Sequence, residues 1–226
     1  MKLEILYSQN SINTYKSCPI KFKYKYIDNI NWKKFGHKEY YDSLVYGSEF
    51  HLVCERFFND IPLGIDKNSL FYSWIEKIKS IVDTKEGILL PEYEICFKLD
   101  GKNLVAKYDL VIIKEDKIEI WDWKTENKKM SYENYKNRIQ TIVYLFLGME
   151  VLPKIFDKNI DYQDISMNYY QMEFDDEPKK IVHSKENHFK YKEIIKNYIN
   201  SIENNNFYKN TNHCKYCELE NICKGI

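Results

Sequence analysis

Arginine is nearly missing from this chain of 226 residues. Arg56 and Arg138 are the only two, so almost all positive charge is lysine. Glycine (7) and proline (5) are scarce as well. No Ser/Gly/Pro-rich linker, low-complexity tract or internal repeat interrupts the chain. That excludes a string of tethered modules and predicts one domain, residues 1–226. Net charge is missing too: 34 basic and 34 acidic residues cancel, so the overall field singles out no polyanion partner. The longest apolar stretch, "IVYLFLGMEVL", is far short of the roughly 20 residues that span a bilayer. "MKLEILYSQNS" has no apolar segment of signal-peptide length. These absences predict a soluble, cytoplasmic protein with no membrane partner. In a reducing compartment its six cysteines are expected as ligands or core residues rather than disulfides.

Apolar residues are present in quantity, at 44%, which is enough for a sizeable core. Ser8 and Ser11 can cap a helix starting near Asn10. Pro19 interrupts it, and "KFKYKYID" then alternates charged and aromatic residues as a strand does. "SLVYGSEFHLVCERFFND" and "SLFYSWIEKIKSIV" read as helices. "PEYEICFKL", "NLVAKYDLVII" and "KIEIWDWK" read as an antiparallel meander turning at "DGKN" and "KED". A single helix from Tyr132 to Val151, capped by Ser131, follows. Then come the strand "DISMNYYQMEF" and a helix from about Ser184 to Ile202. This order predicts a mixed sheet flanked by helices, an α/β (α+β) fold.

Charge is uneven locally. Residues 13–38 hold seven lysines (16, 21, 23, 25, 33, 34 and 38) against Asp28, with Phe22, Tyr24, Tyr26, Trp32 and Phe35 interleaved. Lysines with aromatics suit a nucleic-acid strand, charge for phosphate and rings for bases. A solvated helix face gives the same composition.

"IEIWDWKTEN" carries the chemistry. Side chains two apart on a strand share a face, so Asp122 and Lys124 stand side by side and Trp121 and Trp123 point the other way. This is an ion pair, or a metal-binding carboxylate beside a catalytic lysine. Asp109 lies on the preceding strand, within reach of Asp122. Two carboxylates and a backbone carbonyl suit a hard cation, Mg²⁺ or Mn²⁺. His51 sits mid-helix one turn after Gly47, and Gln140 and Tyr144 share a helix face. Each of these three also fits an ordinary helix.

Taken in order, "GSEFH" with His51, "YDLV" with Asp109, "DWKT" with Asp122 and Lys124, and "QTIVY" with Gln140 and Tyr144 resemble the PD-(D/E)XK nuclease superfamily, in its RecB-like branch. "SINTYKSCPIKFKYKYI" resembles the opening helix–Cys-Pro–helix of that branch. The resemblance implies a restriction-endonuclease-like core, with residues 91–151 catalytic. It implies metal ligation by His51, Asp109 and Asp122 with the Trp123 carbonyl, and Lys124 as the catalytic lysine. Gln140 and Tyr144 would organise the site or contact DNA. It also implies that "KFKYKYID" is helix. Ala106 departs from the glycine usual three residues before the first aspartate. Glu94 is a further candidate ligand.

Cys214, Cys217 and Cys223 form C-x2-C-x5-C, which needs a fourth ligand, with Cys18 and His213 the candidates. Cys54 and Cys96 read as small core residues. The resemblance extends to iron–sulfur members of the branch, which include CRISPR-associated RecB-like exonucleases. It implies a [4Fe–4S] cluster on Cys18, Cys214, Cys217 and Cys223, joining residues 1–40 to 205–226. Structural Zn²⁺ on the same residues or with His213 is the rival.

The expected activity is metal-dependent hydrolysis of DNA, as an exonuclease on single strands or ends. Repair, recombination, phage or CRISPR-type processing would use it, with a helicase, phage or CRISPR protein as partner. A non-catalytic DNA-binding or assembly module and an RNA-acting nuclease are the other readings.

Overall fold

The structure, a computed structural model, describes residues 5–30, 32 and 38–225, apart from the side chains of His213, Lys215 and Tyr216. The chain runs β1 (Tyr7–Ser8), α1 (Gln9–Ser17), α2 (Pro19–Phe22), α3 (Lys38–Phe58), α4 (Leu70–Ile81), β2 (Ile88–Leu99), β3 (Lys102–Ile113) and β4 (Ile118–Lys124). It continues through α5 (Tyr132–Lys136), α6 (Ile139–Ile155), β5 (Ile165–Gln171), β6 (Lys179–Val182), α7 (Lys185–Glu203) and α8 (Glu220–Lys224). No helix among the described residues is long and apolar enough to cross a membrane.

Local chemistry sets these boundaries. Ser8 and Ser11 exchange hydrogen bonds with each other's backbone N–H, a capping box that starts α1. Ser69, Ser131 and Ser184 cap α4, α5 and α7. Pro19 opens α2, where its missing N–H costs nothing. A π-helical turn, Lys23–Ile27, continues it, so "KFKYKYID" is helical. Phe22 is buried and Tyr26 stacks on it, so these rings pack the protein rather than await bases. Lys33, Lys34 and Phe35 lie outside the described residues.

Two expectations need correction. The helix expected from Tyr132 to Val151 is two helices. Asn137 ends α5 with its amide on the Glu133 carbonyl (2.8 Å), and Thr141 Oγ1 donates to the Tyr135 carbonyl (2.6 Å). These bonds satisfy carbonyls that a continuous helix would have used. Cys96 is exposed rather than core. Its neighbours Ile95 and Phe97 face the core, and alternation turns Cys96 outward. Strands β1 and β6 are too short for a period-2 pattern to show in the sequence.

β3 is the centre of a six-stranded mixed sheet. β2 runs antiparallel along one edge of it. On the other edge β1 pairs in parallel at Leu104 and Val105, and β4 pairs antiparallel from Leu110 to Ile113. β5 lies parallel to β4, and β6 antiparallel to β5. One sheet face carries α1, α6 and α7 over Tyr108, Val111, Ile118 and Ile120. The other carries α3 and α4 over Leu110, Ile112, Trp121 and Trp123.

The alternation slips once in each of two neighbouring strands. Leu104, Ala106 and Tyr108 share a face with Val111 and Ile113, so β3 changes phase between Tyr108 and Val111. β2 does the same between Leu90 and Tyr93. The ladder has one gap there, the pair Glu92 and Asp109. Glu92 adopts φ 50°, a left-handed conformation that L residues seldom hold.

Candidate active site

The kink in β2 and β3 places Asp109 where β4 peels away. Asp109 Oδ2 accepts the Trp123 N–H at 2.8 Å, taking the place a backbone carbonyl would fill in a continued ladder. Its Oδ1 lies 3.1 Å from His51 Nδ1. His51 comes from α3, which approaches the end of β4 closely. A Cβ on Gly47 would stand 3.1 Å from Thr125 Oγ1, so glycine permits that approach.

Asp122 projects from β4 on the side opposite Trp121 and Trp123 and is only 1% exposed. Gln140 Nε2 donates to its Oδ1 at 2.5 Å. Lys124 Nζ lies 2.5 Å from its Oδ2. Among the described residues that oxygen has no partner besides Lys124. A carboxylate oxygen with one partner keeps a lone pair for a second. Burial raises the Asp122 carboxyl above its ordinary range; Lys124 opposes the rise and Asp109 adds to it.

A third carboxylate completes the group. Glu92, opposite Asp109, has Oε2 2.7 Å from Lys107 Nζ. His51, Glu92 and Asp109 offer ligand atoms that all lie within 4.8 Å of one another. Glu94, the acid expected from this strand, is exposed. The slip from Leu90 to Tyr93 after Pro91 was the available signal for Glu92.

Each carboxylate thus has its own cation: His51 on Asp109, Lys107 on Glu92 and Lys124 on Asp122. Burial disfavours charge on His51, but the Asp109 carboxylate outweighs it and pushes the imidazole up to about 9.

Helix α6 braces the site from the α1/α6/α7 side. Tyr144, four residues after Gln140, is buried, and its hydroxyl donates to the Lys107 carbonyl at 2.5 Å. Tyr108 Oη donates back to the Tyr144 carbonyl at 3.0 Å. Tyr144 therefore ties α6 to the kinked strand, and its hydroxyl is committed away from solvent. Arg138 Nη2 sits 3.0 Å from both Glu126 oxygens and over the Tyr135 ring. This fixes the segment after Lys124. Gln171, opposite Lys124 on β5, holds the same segment from below, its amide donating to the Glu126 and Lys128 carbonyls at 2.8 Å. Sequence reasoning missed Gln171.

A second constellation lies at the chain's two ends. Cys18 is extended between α1 and α2. It lines one cavity of about 190 Å³ with Cys214, Cys217 and Cys223. Four contacts fasten the C-terminal segment there: Ile20 N–H to the Tyr208 carbonyl, Asn210 amide to the Ser17 carbonyl, Tyr15 hydroxyl to the Asn206 carbonyl, and Lys21 to Glu218. The His213 side chain, the rival ligand, lies outside the described residues.

The sequence model of a family described as the PD-(D/E)XK nuclease superfamily matches residues 7–80 and 70–224. A crystal structure from Eubacterium rectale, of a protein described as a candidate exonuclease, superposes with a TM-score of 0.61 at 10% identity. It covers 96% of this chain and 87% of that chain. The crystal structure of SSO0001 gives a TM-score of 0.45 at 14% identity, over 99% of this chain and 88% of that chain. The first likeness is one of fold. No curated protein matches the sequence.

Proposed function

As this chain belongs to the PD-(D/E)XK nuclease superfamily, we propose that it is a metal-dependent deoxyribonuclease of the RecB-like branch, acting as an exonuclease on single-stranded DNA or DNA ends. The observation that carries this reading is the pairing of Lys124 with Asp122 at 2.5 Å, beside the His51–Asp109 contact at 3.1 Å.

The donors fit a hard divalent cation, Mg²⁺ or Mn²⁺. His51, Glu92 and Asp109 converge, and Asp122 keeps a buried oxygen whose one partner among the described residues is Lys124. These four residues, with the Trp123 carbonyl, would hold it. When bound, the cation supplies Lewis acidity toward a phosphoryl oxygen and makes water a stronger acid. Lys124 presents its ammonium at the rim, where it orients water or stabilises charge developing on phosphate. Gln140 keeps Asp122 aimed. Tyr144 holds β3 in its kinked form. The aromatic wall of Trp123 and Phe58, stacked at 5.9 Å, backs the strand that carries both charges.

The four cysteines that line one cavity support a thiolate-bound metal there, a [4Fe–4S] cluster in this reading with structural zinc as its rival. Lys21, Lys209 and Lys224 also line the cavity, complementary to the negative charge that four thiolates give either metal site. Its work would be structural, clasping the C-terminal segment to α1 and α2.

The test is incubation of end-labelled single- and double-stranded DNA, and of matching RNA, with Mg²⁺ or Mn²⁺. Metal-dependent ladders from one DNA end support the reading and give the polarity. Binding with no cleavage under any metal would turn it into a DNA-binding module, and cleavage of RNA alone would change the substrate class.

A further inference from the structure

Glu92 and Lys107 form an ion pair that the chemistry of cleavage does not itself require. Both lie on the kinked part of the sheet, Glu92 opposite Asp109 and Lys107 two residues before it. The Glu92 backbone sits in the left-handed region, so the fold holds a strained residue there. Its carboxylate is within 4.8 Å of the His51 and Asp109 donor atoms and also 2.7 Å from Lys107 Nζ. One carboxylate thus stands within reach of two cations, the Lys107 ammonium and a metal held with His51 and Asp109, and each weakens the pull of the carboxylate on the other. The two partners differ in freedom. The Lys107 carbonyl is fixed by buried Tyr144, whereas its side chain is 55% exposed. Only the flexible four-carbon stem has to move for the pair to open.

We propose that Lys107 is a placeholder for the divalent cation: it neutralises Glu92 in the metal-free protein, yields Glu92 to the metal as a ligand, and is then released to take a phosphate of the incoming strand. This rests on the metal-dependent reading above. The rim supports the second half. Glu94 and Glu55 also bear on Lys107, so without this lysine the entrance would present carboxylates to a polyanion. A released Lys107 stays tethered at the entrance by its fixed backbone. The divalent cation replaces the single ammonium charge at Glu92, and the newly freed positive charge sits where DNA arrives.

The test is Mn²⁺ titration calorimetry of the full chain and of three variants, with circular dichroism to verify folding. Glu92→Gln is expected to weaken Mn²⁺ binding at least about tenfold, as loss of a ligand does. Lys107→Met is expected to tighten it about two- to fivefold, by removing an exposed competitor. In Glu92→Gln/Lys107→Met the tightening is expected to vanish, because the lysine acts through Glu92 alone. Unchanged affinity in either single variant, or tightening that persists in the double variant, overturns the proposal. A second arm uses a fluorescent single-stranded oligonucleotide in the Lys124→Ala background. Lys107→Met should weaken binding with Mn²⁺ present and leave metal-free binding unchanged; an equal loss in both conditions overturns the release step. Neither arm reads cleavage. A protein that proves inactive but shows opposite Mn²⁺ shifts loses the nuclease reading and keeps this one, and an active nuclease with unshifted Lys107→Met does the reverse.

Discussion

Gln140 and Lys124 grip the two oxygens of Asp122 from opposite elements, α6 and β4, each at 2.5 Å. Asp122 is almost fully buried, so this double grip offsets the cost of holding a carboxylate there. Among the described residues Lys124 is the one partner of the oxygen it faces. The site is built to hold negative charge at the end of a strand and to have more positive charge supplied.

Asp122→Asn tests that statement directly. The amide keeps shape and a partner for Gln140 but loses the charge. The variant is expected to fold and to lose metal-dependent stabilisation. Wild type at Mn²⁺ about a hundredfold above its Kd should gain about 2.7 kcal/mol. A tenfold weaker site would gain about half of that, and cleavage should be lost as well. Thermal melts with and without Mn²⁺ measure the difference.

Tyr144→Phe separates bracing from DNA contact. The hydroxyl is buried and committed to the Lys107 carbonyl, so its removal leaves a carbonyl unpaired and should cost about 1–3 kcal/mol of stability. Urea unfolding checks this. DNA affinity of the folded variant should match wild type at equal metal saturation.

Cys214→Ala probes the end-to-end clasp. The variant is expected to lose iron and visible colour, and to melt well below wild type. Iron and sulfide analysis with a melting curve provides the check. Full iron content with unchanged stability would contradict the cluster, and stoichiometric zinc in wild type would favour the rival metal.

His183 and His188 give a pH prediction away from the site. Their rings lie 3.3 Å apart, His188 reaches Glu150 at 3.0 Å, and His183 Nδ1 is buried without a partner. Burial, with the neighbouring His188 adding, pushes His183 down to about 4; burial also lowers His188 despite Glu150. Other groups facing the pair are Tyr162, Tyr191, Lys154 and Lys192. The unfolded chain therefore takes up protons near pH 6.5 before the folded one does. Stability is full above that pH and falls as pH drops toward 4, by up to about 3 kcal/mol for His183. Melting curves between pH 7 and 5 should show the fall, and His183→Leu should flatten it.

Much of the fold was legible because its signals are local. Serine caps, Pro19 and the alternation of β2 to β4 each act within a few residues. The spacing of Asp122 and Lys124 was legible for the same reason: a strand puts residues two apart together. Glu92 was not, since its position depends on a phase slip shared by two strands, and alternation alone pointed to Glu94. The break at Asn137 was hidden because apolar periodicity runs through Tyr135 to Val143 on both sides of it. Gln171 was invisible because its partners are backbone groups more than 40 residues away, which no spacing rule reaches.

The most direct measurement of the central claim is the rate of Mn²⁺-dependent DNA cleavage by Lys124→Ala beside wild type, with Mn²⁺ affinity measured on the same samples. Lys124 touches the metal-side carboxylate but offers no metal ligand itself. A catalytic lysine predicts a rate at least about a hundredfold lower with Mn²⁺ binding retained. Equal rates in the two proteins would contradict it and leave Asp122 and Lys124 as a structural ion pair.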